Sequence, residues 1–379
     1  MMKKQHCLYD AKIADGFPVT VKYIFCFVLF MKVLVSGAAG FIGSWVSKAL
    51  AERGDEVYCV DNINDYYDVR LKYSRLHCLG IDLMEGEEEI PNDEIRQSSS
   101  FSKLRFLRMS IEEKPLLDYL FATEHFDIVV NLAAQVGVRY SITHPYTYMQ
   151  SNLVGFLNIL EACRFHNVKK LVFASSSSVY GLNAKKPYSE DDMVGTPVSL
   201  YAVSKRSNEL MAHSYSKLYG LQTIGLRYFT VYGPWGRPDM APMLFATALR
   251  DGKPIKVFND GNMLRDFTYV DDIVEGTIRA IDYDLKPEYC PNGIACRIYN
   301  IGCGHPVRLL DFIAELEMTY GKQAQKEFLP MQLGDVCQTY ADTTRLEKEM
   351  GYRPHWALHD GIAEFVKWFD SEDNPLKAS

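Results

Sequence analysis

The sequence contains no Cys-x-x-Cys pair, and its nine cysteines are scattered and odd in number. That distribution speaks against a disulfide framework or a zinc site, and it makes a reducing cytoplasm the expected compartment. The nine histidines do not stand at metal-ligand spacing from cysteines or carboxylates, so no metal is expected. Positive charge is not in excess. The 41 Lys and Arg are outnumbered by 48 Asp and Glu, for a net charge of −7. A nucleic-acid partner, which needs a basic stripe, is therefore not expected. Long apolar runs are also missing. The longest, Tyr23 to Met31, falls well short of the about 20 residues that cross a bilayer. It has the length of a secretory h-region and follows Lys3, Lys4 and Lys22, but no small-residue cleavage site comes after it. Lys32-Val33-Leu34-Val35 follows instead and reads as a strand. Residues 1–31 are thus read as an N-terminal extension, either a mis-assigned start or a dispensable segment, with no membrane role.

What is present is an ordinary globular composition, 47% hydrophobic and 23% charged over 379 residues, enough for a full core and a second lobe. Short apolar runs alternate with amphipathic stretches. The strands expected are Lys32–Ser36, Glu56–Val60, Leu104–Arg108, Asp127–Leu132, Lys170–Ala174 and Gln222–Tyr228. Between them, Pro145–His166 and Ser199–Tyr219 read as helices. This rhythm predicts an α/β fold with a Rossmann-type, doubly wound parallel sheet. Residues 32–229 form that domain, interrupted by a polar insertion over 62–103 whose acidic run Glu85–Glu89 reads as solvated surface. Residues 230–379, with shorter αβ units after a Gly233–Pro238 loop, are read mainly as a smaller C-terminal α/β substrate-binding lobe.

The first strand leads into Gly37-Ala38-Ala39-Gly40-Phe41-Ile42-Gly43, and a helix follows over Trp45–Arg53. Gly37 suits the tight turn, Gly40 a close approach of backbone to pyrophosphate, and Gly43 the packing of helix on strand. A glycine trio alone often marks only a turn. This one follows a strand and opens a helix, as a dinucleotide fingerprint demands. Asp61, at the end of the second strand, can accept hydrogen bonds from both hydroxyls of the adenosine ribose. It would repel a 2′-phosphate, so NAD is favoured over NADP.

Tyr201 and Lys205 are spaced i,i+4 at the start of a helix and share one face. A tyrosine is a poor base, with a pKa of about 10. A nearby ammonium and the positive nicotinamide favour its phenolate and bring it toward general-base work. Lys205 can also hold the nicotinamide ribose. Ser176 lies in the run Ser175-Ser176-Ser177-Ser178-Val179-Tyr180-Gly181, just past a strand, at the sheet edge where such folds bind ligands. Its hydroxyl can bridge a substrate oxygen and the Tyr201 phenol. On its own, Tyr-x-x-x-Lys is a common surface pattern. Joined to the glycine loop and the serine run, it reads as catalytic.

These residues resemble the extended short-chain dehydrogenase/reductase family, specifically its nucleotide-sugar epimerases, with bacterial UDP-glucuronate 4-epimerases the nearest likeness. The resemblance runs from Lys32 to about Trp368. It is carried by the glycine loop, Asp61-Asn62-Ile63-Asn64-Asp65-Tyr66-Tyr67, Leu132 to Ser141, Ser151 to Phe156, the serine run, Tyr201–Lys205, Arg227–Met240 and Arg265 to Tyr269. It implies a catalytic set of Ser176, Tyr201 and Lys205. NAD is expected to be tightly bound and recycled, with Gly37, Gly40, Phe41, Ile42, Gly43, Asp61, Asn62, Leu132, Ala133, Ala134, Asn152, Tyr201, Lys205 and Tyr228 at its site. Arg265 and Asp335 are expected at the UDP part of the substrate, with Val257 to Asn259 near the uracil. A homodimer through the helices Pro145–His166 and Ser199–Tyr219 is implied as well. One departure stands out: where family members often place an acidic residue near the adenine, this chain has Met109-Ser110-Ile111.

Related dehydratases place Asp-Glu after the catalytic Ser or Thr, and related UDP-glucuronate decarboxylases usually place Glu at the second of those positions. Ser177 and Ser178 stand there in this chain. Without carboxyl groups to shuttle protons, oxidation at C4 has no elimination route. The implied reaction is 4-epimerisation of UDP-glucuronate to UDP-galacturonate through a transient 4-keto sugar, which suits surface-polysaccharide synthesis. Ser177, Ser178 and Thr230 can donate to the uronate carboxylate, and Arg237 offers a charged partner. UDP-galactose 4-epimerases would have Asn in place of Thr230. The alternatives are a UDP-glucose or UDP-N-acetylglucosamine 4-epimerase, a UDP-glucuronate decarboxylase, or a non-catalytic NAD-binding regulator on the same fold. The intact Ser176–Tyr201–Lys205 set argues against the last.

Overall fold

In the computed structural model, which describes residues 30–332 and 334–377, the apolar run Val33-Leu34-Val35 is fully buried. Both faces of its strand are therefore covered, as in a parallel sheet with helices on each side. The expected extension over 1–31 lies outside the described residues up to position 29.

The chain runs β1 (Lys32–Ser36), α1 (Phe41–Arg53), β2 (Glu56–Asp61), α2 (Arg70–His77), β3 (Ile95–Gln97), β4 (Leu104–Arg108), α3 (Lys114–Glu124) and β5 (Ile128–Asn131). Two short turns, α4 (Tyr140–Thr143) and α5 (Pro145–Tyr148), then lead through a π-helical segment, Met149–Val154, into α6 (Gly155–Phe165). After β6 (Lys170–Ser176), α7 (Leu200–Tyr219) and β7 (Gln222–Tyr228) come β8 (Thr230–Tyr232), α8 (Ala241–Asp251), β9 (Ile255–Phe258), β10 (Leu264–Tyr269) and α9 (Val270–Asp282). The last elements are β11 (Cys296–Ile301), β12 (Pro306–Arg308), α10 (Leu309–Tyr320), β13 (Lys326–Leu329), α11 (Thr344–Met350) and α12 (Leu358–Phe369).

Eight strands form one sheet in the order β11-β7-β6-β5-β1-β2-β4-β3. All pairings are parallel except β3 with β4. Val46 and Leu50 of α1, with Ile273 and Ile281 of α9, cover one face. Leu117 of α3, Ile159 of α6 and Ala212 of α7 cover the other. The strand order reverses between β1 and β5, and ligands of such sheets bind in the crevice beyond the carboxyl ends at that point. A second core gathers α8, α10 and α12 around a three-stranded sheet, β12-β10-β8, and a pair, β13-β9. β11 and α9 lie beyond residue 230 in the chain yet belong to the large sheet and its cover.

Pro145–His166, which reads as one helix, is an unbroken helical run over 145–165 with a π-helical stretch inside it. Asn152 lies in the π-helical stretch, and such turns are frequent at functional sites. The acidic run is docked as well as solvated. Arg96, itself buried, pairs with Glu87 at 2.5 Å and Glu94 at 2.9 Å, and Arg108 pairs with Glu89 at 2.9 Å. Leu79, Ile81 and Ile90 anchor the segment in the core. Single apolar residues spaced this widely carry no periodic signal.

Candidate active site

The glycine loop is shaped by contacts no side chain could make. Gly37 has φ +75°, and a Cβ there would lie 2.7 Å from Ala133 N. At Gly43 a Cβ would lie 2.0 Å from the Gly37 carbonyl oxygen. Helix α1 has no side-chain cap, which leaves its N-terminal N–H groups for an anion. Gly37, Gly40, Phe41, Ile42 and Gly43 line a cavity of about 350 Å³. Asp61 lines it too. Its carboxylate accepts the Ala39 N–H at 3.1 Å and the Ile63 N–H at 2.8 Å. Asn62, Leu132, Ala133, Ala134 and Tyr228 complete this wall. The Tyr228 hydroxyl lies 3.0 Å from that of Thr277. A bare-backbone cradle beside a buried carboxylate suits pyrophosphate and ribose, so the residues present fit NAD.

Asn152 stands behind the wall. It accepts the Gln135 N–H at 2.8 Å and donates to the Gln135 carbonyl at 3.0 Å and to Ser204 Oγ at 2.9 Å. Its place is to hold the loop after β5, and it does not line the cavity. At the far end Ser110 lines the cavity without a charge. Glu112, two residues on, also lines it and accepts the Ser151 hydroxyl at 2.5 Å. Lys72 lines it too, its ammonium 3.9 Å from Asp61. Neither Glu112 nor Lys72 was singled out by the sequence.

Ser176 ends β6. Its hydroxyl accepts the Ser178 N–H and donates to Ser178 Oγ, each at 3.1 Å. Ser199 caps α7 by accepting the Ala202 N–H at 3.1 Å, which sets Tyr201 in the first turn. Lys205, one turn later, is buried and donates to the Ala174 carbonyl at 2.9 Å. Burial dominates at Tyr201 and raises its pKa above the ordinary value. The groups that pull it back are the Ser176 hydroxyl and the Arg237 guanidinium; Lys205 is turned to the β6 carbonyl.

Burial lowers the Lys205 pKa to about 8. The ammonium form, which donates to Ala174, prevails below that pH and is lost above it. The rate of any reaction that uses this ammonium is therefore expected to fall as pH rises through about 8. A pH–rate profile checks this. Lys205→Arg, whose guanidinium does not deprotonate, should flatten the alkaline limb whatever its absolute rate.

A second cavity of about 700 Å³ is lined by Arg139, Phe258, Arg265 and Asp335. Ser177, Ser178, Thr230 and Arg237 line both cavities and so mark their junction. Arg265 donates to the Leu264 and Cys337 carbonyls at 2.9 and 3.2 Å, and burial lowers its pKa. Asp335 pairs with Arg139 at 2.9 Å, an arginine the sequence reading did not select. Two arginines here can hold an anionic diphosphate. Val257 is placed elsewhere: it is fully buried in the smaller lobe's core, because alternation along β9 turns it away from the cavity. Lys256 and Phe258 line the cavity in its stead. Asn259 also stands off the lining, its amide donating to the Asn262 carbonyl at 2.8 Å.

Arg237 donates to Asp239 through Nε at 3.1 Å and Nη2 at 2.5 Å, and Asp239 accepts the Tyr66 hydroxyl at 3.0 Å. Asp239 was readable locally as an Arg-x-Asp pair; Tyr66 was quoted only as part of a motif. Away from the site, folding gathers Asp272, Glu275 and His355 within 4.8 Å, a grouping their spacing does not suggest. The Asp272 carboxylate already accepts the His355 and Trp356 N–H groups, and Glu275 pairs with Arg279.

Comparison with known proteins agrees with this geometry. The profile of the NAD dependent epimerase/dehydratase family matches residues 33–302. The chain is 46% identical to Protein CapI of Staphylococcus aureus, over 89% of this chain and 98% of that one. It is 42% identical to UDP-glucuronate 4-epimerase 2 of Arabidopsis thaliana, over 89% of this chain and 76% of that one. A crystal structure of UDP-glucuronic acid 4-epimerase from Bacillus cereus, in complex with UDP-glucuronic acid and NAD, superimposes with a TM-score of 0.78 at 34% identity. That match covers 89% of this chain and 98% of the other.

Proposed function

The chain belongs to the NAD dependent epimerase/dehydratase family, and from that premise we infer that it is an NAD-dependent isomerase that interconverts UDP-glucuronate and UDP-galacturonate. The observation that carries this is the junction of the two cavities. Ser176, Tyr201 and Lys205 meet the cofactor wall there, Ser177 and Ser178 stand where a dehydratase would need carboxyl groups, and Thr230 and Arg237 line the same junction.

NAD, when bound, supplies the acceptor and donor for the hydride at C4. The glycine loop holds its pyrophosphate, and Asp61 holds the adenosine ribose. Tyr201 takes the proton of the sugar 4-hydroxyl and later returns one. Ser176 bridges the sugar oxygen and the phenol, and Lys205 holds the nicotinamide ribose. Arg237 supplies positive charge beside Tyr201, which favours the phenolate in a buried site. The sugar passes through a 4-keto form and turns over about the pyrophosphate-linked bonds. Its opposite face then receives hydrogen. Arg139 and Arg265 keep the diphosphate in place during that turn.

The 4-keto uronate is a β-keto acid and can lose CO₂. Ser177, Ser178, Thr230 and Arg237 hold the carboxylate in one orientation and restrain that loss. Purified protein given UDP-glucuronate is expected to yield UDP-galacturonate, resolved by chromatography. No galacto isomer, CO₂ as the main product, or faster turnover of UDP-glucose or UDP-N-acetylglucosamine would each overturn the reading.

The protein is further proposed to be a cytoplasmic homodimer. Tyr146, Met149, Val154 and Leu157 are exposed along 145–166, as are Val203, Leu210 and Leu218 on α7. Exposed apolar side chains on these two helices support an interface there. Light scattering should give twice the 43.3 kDa chain mass. Among the described residues no helix is long and apolar enough to cross a membrane.

A further inference from the structure

We propose that the segment between β2 and β4 is a positioning clamp, in which Tyr66 and Arg75 hold the loop that carries Arg237 and so fix its guanidinium at the junction of the two cavities. The proposal rests on the reading of that junction as the pocket for the uronosyl sugar.

Arg75, on α2, is 1% exposed, and among the described residues no carboxylate pairs with it. Burying a guanidinium is costly unless its donors are used. These are spent on bracing two loops. Nη1 donates to the Ala39 carbonyl at 3.0 Å and to the Tyr67 hydroxyl at 2.7 Å. Nε and Nη2 donate to the Trp235 carbonyl at 3.1 and 2.6 Å. One side chain thus ties the glycine loop to a residue two places before Arg237. Trp235 has φ +65°, a conformation that costs a non-glycine residue of order 1–3 kcal/mol and persists only where its surroundings impose it. Trp45 adds an indole N–H to the Pro234 carbonyl at 3.4 Å.

Tyr66 grips the other end of the same loop. Its hydroxyl donates to Asp239, which in turn takes Nε and Nη2 of Arg237. Nη1 is the nitrogen left for a substrate anion. Tyr66 is itself held by the loop after β5. Its ring meets that of Tyr140 edge-on at 4.9 Å, and a Cβ at Gly137 would lie 2.5 Å from its hydroxyl. The long segment after β2 is therefore a strut between the cofactor wall and the arginine that faces the sugar.

Fixing Arg237 matters because the 4-keto uronate has two exits. In one, C4 regains hydrogen. In the other, the bond from C5 to the carboxylate breaks, its electron pair forms the C4 enolate, CO₂ leaves and solvent returns a proton. An orienting group that is free to swing binds the carboxylate without holding its angle, and a displacement of about 1 Å can cost as much as 10²-fold in rate.

The test uses purified full-length protein with UDP-glucuronate. Tyr66→Phe keeps the ring and deletes the hydroxyl that donates to Asp239 and stands beside Arg237. It should raise KM by roughly fivefold, the equivalent of one lost hydrogen bond, and raise the share of product released as CO₂ several-fold, while bound NAD and the thermal midpoint stay unchanged. Arg75→Lys should move both quantities the same way. If Arg75→Lys does not fold, Asp239→Asn replaces it. An unchanged KM and product ratio in Tyr66→Phe, or a lower thermal midpoint with an unchanged ratio, overturns the clamp while the wild type still epimerises. A wild type that makes no UDP-galacturonate overturns the sugar-pocket reading and the clamp with it.

Discussion

Tyr201→Phe is expected to lower kcat by about 10²–10⁴-fold, the range for removing a general acid–base group, with KM and bound NAD little changed. The phenol is the proton acceptor best placed at the junction of the cavities. It stands in the first turn of α7, and the Ser176 hydroxyl and Arg237 act on it directly. The substitution preserves packing, since the ring stays edge-on to Tyr148 at 6.1 Å. Only the proton-carrying oxygen is lost. Product separation measures the rate, and release of nucleotide on denaturation measures the cofactor. A variant within a few-fold of wild type would place proton transfer elsewhere and revive the view of this fold as an NAD-binding regulator.

Gly43→Ala is expected to be the most damaging small substitution in the cofactor loop. The new methyl would lie 2.0 Å from the Gly37 oxygen, 2.8 Å from its carbonyl carbon and 3.1 Å from Ala38 Cα. All three are backbone atoms of the turn that receives the pyrophosphate, so none can move aside without opening the loop. The loss of stability should reach about 3 kcal/mol or more, the upper range for overpacking. Purified protein should carry little NAD and show a lower thermal midpoint. Gly195→Ala is the control: its Cβ would come no nearer than 4.0 Å to Met193, and surface changes of that kind stay within about ±0.5 kcal/mol. Equal cofactor content in the two variants would refute the close-packing account of Gly43.

The readable features were those set by short-range geometry. A strand, three glycines and a helix form one local unit, and Asp61 follows at the end of the next strand. Tyr201 and Lys205 needed only the pitch of a helix to share a face. Alternating strands and helices predicted the parallel sheet, and all six strands expected in its core are there. Boundaries moved where a local signal was missing. Gly40 opens α1 at Phe41, before Trp45, because a bare-backbone N-terminus needs no polar cap residue to announce it. The Val257 side chain lies in the core while those of its neighbours on β9 line the cavity, because one step along a strand exchanges one face for the other.

The sequence by itself determined the fold class, the glycine loop and the shared helix face of Tyr201 and Lys205, because each depends on local patterns of residues and on backbone geometry common to all chains. Only the tertiary structure decided how Arg237 is held. Arg75 meets Trp235, Tyr66 meets Asp239, and Glu112 meets Ser151 across long stretches of chain. It also brought the Arg237 guanidinium close enough to Tyr201 to oppose the effect of burial on the phenol, while Lys205 donates to the Ala174 carbonyl. Contacts of that kind depend on how the layers pack against one another, and no spacing along the chain encodes a distance that only packing sets.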